Sequence, residues 1–576
     1  MSLVALHQFD YIFAIAMMFA FLDAFNIGAN DVANSFSSSV SSRCLKYWQA
    51  MILAAIMEFL GAVLAGARVT DTIRKRIINV HAFDDDPAML MLTMATALVG
   101  SSVWLSIATY VRAPVSTTHS IVGGVIGAGI AAKGAGEIHW GWSGFAKIVA
   151  SWFIAPCVAG GFASVLFLFC KFSILERKHD ARNALLFAPC IVFLTFAVLT
   201  MLIVWKGAPN LNLDDLSTGA TVGSIFGVAG VATIIYITFF FPFLKRRIID
   251  EDWTLKWYQV FYGVKYWFMS KDSIPPKPDN YDFFIDYYEG RRYEGGEQDS
   301  AIVADAKEEA TIGELKLSDN STSNSNADEN RLVHESKLEP KEDTKTKWSK
   351  LVKSPKQWPY LAWLIISHGW TQDVIASQKN GGRLAGDLQG MHGRAKYYSN
   401  KVEHIFSLFQ AFTACTMSFA HGSNDISNAA GPLSTVWVVY TTNDVVAEPP
   451  IWILCYTAAA LVLGVWIFGY RLMANLGNKL TLQSPSRGFA IELGAAITTV
   501  FATQLEIPIS TTQCAVGATV FVGLCNRDVR AVNWRMVAWC YLGWVFTLPC
   551  AGLISGIIMG IIINAPQWGG QYELTP

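Results

Sequence analysis

Long apolar runs, broken by short polar stretches, flank a strongly polar centre in this chain. A helix that crosses about 30 Å of hydrocarbon needs roughly 20 mostly apolar residues. Candidate spans lie near Tyr11–Ile27, Tyr47–Ala67, Ala88–Val111, Phe145–Phe172, Ala184–Trp205, Val222–Leu244, Ile405–Phe419, Ile451–Met473, Phe489–Leu505 and Met536–Ile563. Two shorter Gly-rich apolar runs, Ile121–Ala132 and Cys514–Leu524, cannot span alone and predict re-entrant hairpins. The first run has Asp10 and no basic stretch ahead of it and leads straight into polar sequence, which argues against a cleavable signal peptide.

Between Lys245 and about Lys356 the pattern gives way to charge, Ser, Asn and Asp, a composition that buries too little apolar surface to fold. The expected organisation is therefore a membrane half over 1–244, a largely disordered loop over 245–357 and a second membrane half over 358–576. Lys245, Arg246 and Arg247 open the loop, and Lys337, Lys341, Lys345, Lys347, Lys350, Lys353 and Lys356 close it, which places it in the cytoplasm by the positive-inside rule. Arg68, Arg74, Lys75 and Arg76 flank the second run and run against that count. The apolar stretch Trp358–Trp370 is too short to assign as spanning, interfacial or re-entrant.

Composition agrees with the pattern. Of the 576 residues 52% are hydrophobic and only 15% charged, against about 25% charged in ordinary soluble domains. Mean hydropathy is +0.34. A net charge of −1 excludes the basic excess of a nucleic-acid binder. The 10 cysteines form neither a CxxC pair nor a Cys/His cluster, so no zinc site or disulfide framework is expected.

The decisive signal is an internal repeat. Gly28-Ala29-Asn30-Asp31-Val32-Ala33-Asn34 and Gly422-Ser423-Asn424-Asp425-Ile426-Ser427-Asn428 share G-x-N-D-x-x-N at an offset of 394. Pro114-Val115-Ser116-Thr117-Thr118 and Pro508-Ile509-Ser510-Thr511-Thr512 repeat at the same offset. Two polar motifs kept in register across a divergent background mark a duplicated unit, as many secondary transporters are built. Ionisable residues within membrane segments face a cavity or mark a pathway. Asn30 and Asn34 share a helix face. Each Pro-x-Ser-Thr-Thr element precedes a Gly-rich run, so the proline predicts a helix break, with Ser and Thr at the N-cap and first turn of the next helix. Such an N-terminus favours an anion, and two of them could hold one tetrahedral oxyanion. Asp31 and Asp425 then need compensating cations; alternatively they accept a hydrogen bond from protonated phosphate, which sulfate cannot offer. A structural polar clamp and ligand-free helix caps are the competing readings of these motifs.

With these motifs the chain resembles the inorganic phosphate transporter family, most closely its fungal plasma-membrane sodium-phosphate symporters. The resemblance implies an all-α polytopic fold of about 12 membrane segments, in two inverted repeats each with a broken helix and a re-entrant helical hairpin. It also implies outward termini and an inward central loop. Phosphate would meet Asp31, Ser116, Thr117, Thr118, Asp425, Ser510, Thr511 and Thr512, with Asn30, Asn34, Asn424 and Asn428 sharing substrate and cation duties. Glu58 and Glu492 match two family glutamates and join Asn30, Asp31, Asn34, Asn424, Asp425 and Asn428 as candidate sodium ligands, although Trp452 and Leu98 occupy their offset positions. Where the first half has Thr118-His119-Ser120, the second has Thr512-Gln513-Cys514, so a shared role for His119 is not expected.

The expected activity is sodium-coupled phosphate symport into the cell by alternating access across the plasma membrane. No enzymatic activity and no cofactor are expected, with Na⁺ as coupling ion. Competing readings are a proton-coupled or sulfate-type oxyanion permease and a membrane phosphate sensor. Partners are inorganic phosphate, Na⁺ and membrane lipid, with a homodimer left open and no nucleic acid.

Overall fold

The computed structural model describes residues 6–67, 70, 77–142, 144–205, 213, 216–277, 284–292, 354–366, 373–379, 384–444, 450–505 and 507–565. Arg68, Arg74, Lys75, Arg76 and the bulk of the central loop, 293–353, lie outside them. The described residues are helical, with no β-strand beyond an isolated bridge between Ile78 and Ile138.

The principal helices of the first half are α1 (Asp10–Ser41), α2 (Tyr47–Ala65), α3 (Pro87–Tyr110), α4 (Thr117–Lys133), α5 (Phe145–Cys170), α6 (Asp180–Val204) and α7 (Thr218–Ile235). Those of the second are α8 (Asn400–Thr442), α9 (Ile451–Met473), α10 (Pro485–Gln504), α11 (Thr511–Leu524) and α12 (Trp534–Asn564). Eight helices among the described residues are long and apolar enough to cross a membrane. Two that the sequence reading expected to span, within α8 and α10, fall outside that set. They carry the buried polar residues of the motifs and of Glu492, and protein instead of lipid surrounds them. Helix α7 is the opposite case, with Val222, Phe226, Val231 and Ile234 exposed as expected of a lipid-facing surface.

Both G-x-N-D-x-x-N motifs sit inside continuous helices, α1 and α8, and not at helix ends. The breaks come at the prolines: α3 ends at Tyr110 and α4 starts at Thr117, while α10 ends at Gln504 and α11 starts at Thr511. Ser116 and Ser510 are the N-caps, with nearly equal backbone angles (φ −92°, ψ 116° and φ −90°, ψ 114°). Each accepts from the backbone N–H three residues on, of His119 at 3.2 Å and Gln513 at 3.3 Å.

The helix pairs are exchanged between the halves. Helix α1 packs on α9 and α8 on α2; α4 packs on α12 and α11 on α5. The first glycine of each motif permits this closeness. A Cβ on Gly28 would lie 2.0 Å from Leu461 O, and one on Gly422 2.4 Å from Glu58 O. Both obstacles are backbone, so only glycine lets these helices touch.

Contact grouping separates Arg292–Thr371 as a second unit and leaves residues up to Arg291 with the helices. The unit that holds the helices thus runs past Lys245 to Arg291 and resumes at Gln372. In the second unit, Trp358–Ile366 is a nine-residue helix, about 14 Å long at 1.5 Å per residue and too short to span.

The stretch between Lys245 and Arg291 is ordered where described. Arg246 is buried and paired with Asp252 at 2.7 Å. Tyr287 and Tyr288 are buried, and Tyr288 Oη donates to Glu403 Oε1 at 2.6 Å. Arg291 Nη1 donates to Ser41 O, Asn478 Oδ1 and Gln483 O, each at 2.8 Å, and Nη2 donates to Tyr287 O. These contacts strap the first half's connection across the end of α1 and the Gly477–Gln483 turn. A window over the whole loop averages this aromatic, Arg-containing segment with its polar surroundings and hides it.

Candidate functional site

Four polypeptide pieces meet where the two motifs of each half converge. Within each half, the first threonine after the cap donates to the motif aspartate 86 residues earlier: Thr117 Oγ1 to Asp31 Oδ2 at 2.8 Å, and Thr511 Oγ1 to Asp425 Oδ2 at 2.5 Å. Between halves the contacts are reciprocal. Thr118 Oγ1 lies 3.1 Å from Ile509 O, and Thr512 Oγ1 lies 3.3 Å from Val115 O. Asn34 Nδ2 donates to Thr512 Oγ1 at 2.9 Å, and Asn428 Nδ2 reaches Thr118 Oγ1 and Thr117 Oγ1 at 3.3 Å. The Thr118–Ile509 and Asn34–Thr512 contacts have their partners, Thr512–Val115 and Asn428–Thr118, at the offset of 394, whereas Asn428–Thr117 and the bond from Thr512 Oγ1 to Asp31 Oδ1 at 3.0 Å stand on one side only. A two-fold relation between the halves produces that pattern, and it brings both N-termini and both aspartates to one buried centre.

The remaining motif asparagines brace the breaks. Asn30 Nδ2 donates to Ala113 O at 3.1 Å and its Oδ1 accepts from Val115 N at 3.3 Å. Asn424 Nδ2 donates to Ile509 O at 3.0 Å and to Asp425 Oδ1 at 2.6 Å. The amide side chains thereby hold the extended Pro-x-Ser segments against α1 and α8.

One residue breaks the symmetry, and the sequence reading missed it. His421 Nε2 lies 3.0 Å from Asp425 Oδ2 and 3.8 Å from Asp31 Oδ2, while its Nδ1 is 2.6 Å from Glu58 Oε2. Ser418 Oγ donates to the other Glu58 oxygen at 2.9 Å. Three carboxylates thus surround one buried imidazole, and the ligand atoms of Asp31, His421 and Asp425 lie within 4.8 Å of one another. The available signal was an ionisable residue inside a membrane helix; the repeat concealed it, because Ile27 stands at the offset position.

Buried hydroxyls, amides and helix N-termini beside carboxylates suit an anion accompanied by hard cations, and they supply no nucleophile–base geometry for hydrolysis. Residues 27–555 match the phosphate transporter family. The chain belongs to the phosphate transporter family. It is 42% identical to the phosphate-repressible phosphate permease pho-4 of Neurospora crassa, over 98% of this chain and 100% of that one. It is 30% identical to the sodium-dependent phosphate transporter 2 of Xenopus laevis, over 94% and 95%. A solved structure described as the sodium-dependent phosphate transporter matches with a TM-score of 0.62 at 24% identity, covering 96% of this chain and 100% of that one, and establishes the shared fold. The protein is therefore a membrane phosphate transporter and not an enzyme.

Glu492, an expected sodium ligand, and His119, for which no shared role was expected, lie apart from this centre in the transporter. Glu492 accepts from Ser38 (2.7 Å), Ser39 (2.6 Å) and Gln410 (3.1 Å) at Oε1 and from Thr413 (2.7 Å) at Oε2. Ser38 is seven residues past Asp31, about 10 Å along α1, so Glu492 occupies a neighbouring polar cluster. The His119 ring lies with its centroid 4.3 Å from that of Trp152, tilted by 38°, and takes no place among the aspartates.

Proposed function

We propose that the protein couples inward phosphate transport to Na⁺ across the plasma membrane by alternating access, with the central loop in the cytoplasm. Phosphate is received between the N-termini at Ser116–Thr118 and Ser510–Thr512, with Asp31 and Asp425 accepting its protonated oxygens. Sodium is received by oxygens of Asn30, Asp31, Asn34, Asn424, Asp425 and Asn428, and further by Glu58 and Glu492. The observation that carries this reading is the reciprocal exchange of Asn34 and Asn428 with Thr512 and Thr118, which makes one centre from two repeats.

Charge balance favours Na⁺. Asp31, Glu58 and Asp425 outnumber the single imidazole of His421, so an arriving anion meets repulsion unless cations arrive with it. One further feature supports a cation beside Asn428: Pro432 lies inside α8, and its missing N–H leaves the Asn428 carbonyl without its intrahelical donor. The Glu58–His421–Asp425 chain gives proton coupling a specific claim as the second reading.

Uptake of labelled phosphate into proteoliposomes separates the two. Uptake is expected in Na⁺ and not in choline, and Asp31→Asn and Asp425→Asn are each expected to abolish it in folded protein. Equal uptake in choline driven by an imposed proton gradient selects the second reading, and variants that transport normally would reduce the motifs to structural clamps.

A further inference from the structure

We infer that Asp23 anchors a separate Na⁺ site between α1 and α3, linked through hydroxyls to the phosphate centre. Asp23 lies eight residues before Asp31, about 12 Å along α1, and is fully buried. Neither of its carboxylate oxygens has a hydrogen bond of regular geometry from any described residue. The groups that interact with the carboxylate are the hydroxyls of Ser101 and Ser102 on α3.

Those hydroxyls send their hydrogens elsewhere. Ser101 Oγ donates to Ser120 Oγ at 3.0 Å, and Ser102 Oγ donates to Leu98 O at 2.6 Å or Phe19 O at 2.9 Å. The nearby amide of Asn26 is likewise committed, to Ser106 Oγ at 2.8 Å and Ser102 O at 3.4 Å. With regular bonds spent elsewhere, Asp23 lies among hydroxyl oxygens, an arrangement that repels unless the acid keeps its proton or a positive charge sits among them. No Lys, Arg or His occurs in α1 or α3 to supply it. One carboxylate with hydroxyl oxygens suits a single monovalent hard cation, since Ca²⁺ and Mg²⁺ take more oxygens, several of them usually carboxylates or waters.

The site also has a route to the substrate. Ser120, which receives the Ser101 hydrogen bond, lies on α4 one turn beyond Thr117, and Thr117 donates to Asp31. A cation that draws Ser101 and Ser102 toward Asp23 fixes α3 against α4 and thereby the N-terminus offered to phosphate. Occupancy at Asp23 then favours phosphate binding, and by linkage phosphate favours the cation.

This inference rests on the Na⁺-coupled reading, and equilibrium binding of ²²Na⁺ to the purified full-length protein distinguishes the two. Wild type is expected to bind one more Na⁺ per chain than Asp23→Asn, with phosphate binding in the variant weakened about tenfold at a given Na⁺ concentration, a typical coupling size. Ser101→Ala, which deletes one ligand oxygen and serves where Asp23→Asn fails to fold, is expected to keep the count and lower Na⁺ affinity at one site. Wild type that binds no Na⁺ overturns the coupling reading and this site with it. Wild type that binds Na⁺ while folded Asp23→Asn binds as many, or Ser101→Ala with unchanged Na⁺ affinity, overturns the Asp23 site alone and leaves Asp23 a neutral buried acid.

Discussion

Replacing Arg291 by Ala tests whether the strap before the central loop seals the pathway on that side. A cavity lined by Asn34, Ser37, Ser38, Gly477, Gln483 and Thr519 lies between the proposed phosphate centre and the strap, and Arg291 bonds the turn that forms its floor. The magnitude follows from what remains after truncation. Ser41 O keeps the Asn478 Nδ2 donor at 3.0 Å, and Asn478 Oδ1 keeps the Gln483 backbone donor at 3.0 Å. Among the Arg291 acceptors outside the strap, Gln483 O is the one for which no second donor is evident, and leaving a buried carbonyl unsatisfied costs about 1–3 kcal/mol. Burial pulls the guanidinium down to about 10, so it is charged at neutral pH and its bonds are of the stronger kind. A loss of about 2 kcal/mol in the closed state raises the open fraction by up to about 30-fold, at 1.4 kcal/mol per factor of ten. The assay is the rate at which a membrane-impermeant thiol reagent labels Ser37→Cys from the loop side, in protein stripped of its 10 native cysteines. Faster labelling in Arg291→Ala is expected. An unchanged rate in folded protein would refute the reasoning and leave Arg291 a tether of the loop only.

Two further outcomes are expected around the same strap. His392 is buried with Nε2 2.8 Å from Asn478 O, and burial holds it at about 4, below the ordinary 6.5. The folded state therefore binds fewer protons than the unfolded one, so this stability is present above about pH 6.5 and is lost as pH falls toward 4, about 3 kcal/mol in all. Thermal unfolding in detergent across that window should show the fall, and His392→Gln should flatten it. Deleting 293–353 should leave phosphate uptake near wild type per molecule in the membrane, whereas extending the deletion back to residue 284 removes Tyr287, Tyr288 and Arg291 and should abolish it; equal uptake by the two deletions would show that the strap is dispensable.

The site was legible where the chemistry is written twice. Asp31 and Asp425, the two Thr pairs and the capping Ser116 and Ser510 stand at one offset and obey local rules for prolines and N-caps, so their convergence could be read without coordinates. His421 was not, because its meaning depends on Glu58 arriving from α2, a tertiary fact with no counterpart at Ile27. The donors around Glu492 come from α1 and α8 and are invisible to any one segment. The helices themselves followed from apolar run length, but α8 was read as a 15-residue span when it is a 43-residue helix, since its polar middle looks like a loop until other protein is seen to enclose it. The ordered strap was lost for the reverse reason: a few buried aromatic and Arg positions determine it, and its average composition is that of a solvated chain.

The exchange of Asn34 for Asn428 across the halves has an ancestral reading. A surface on which residue i of one copy meets residue j of the other, and j meets i, is the surface of an isologous dimer, so a single-half precursor carrying this motif pair had the groups to assemble its centre from two copies in opposite orientation. Joining the copies freed each to diverge, and the imidazole at position 421 opposite an isoleucine at 27 is a divergence a symmetric pair could not hold: two imidazoles would crowd the centre and none would leave it without one. The covalent link thus did more than tether two subunits. It allowed one cation-like group to be placed off the axis, so that a structure inherited as symmetric acquired a built-in direction.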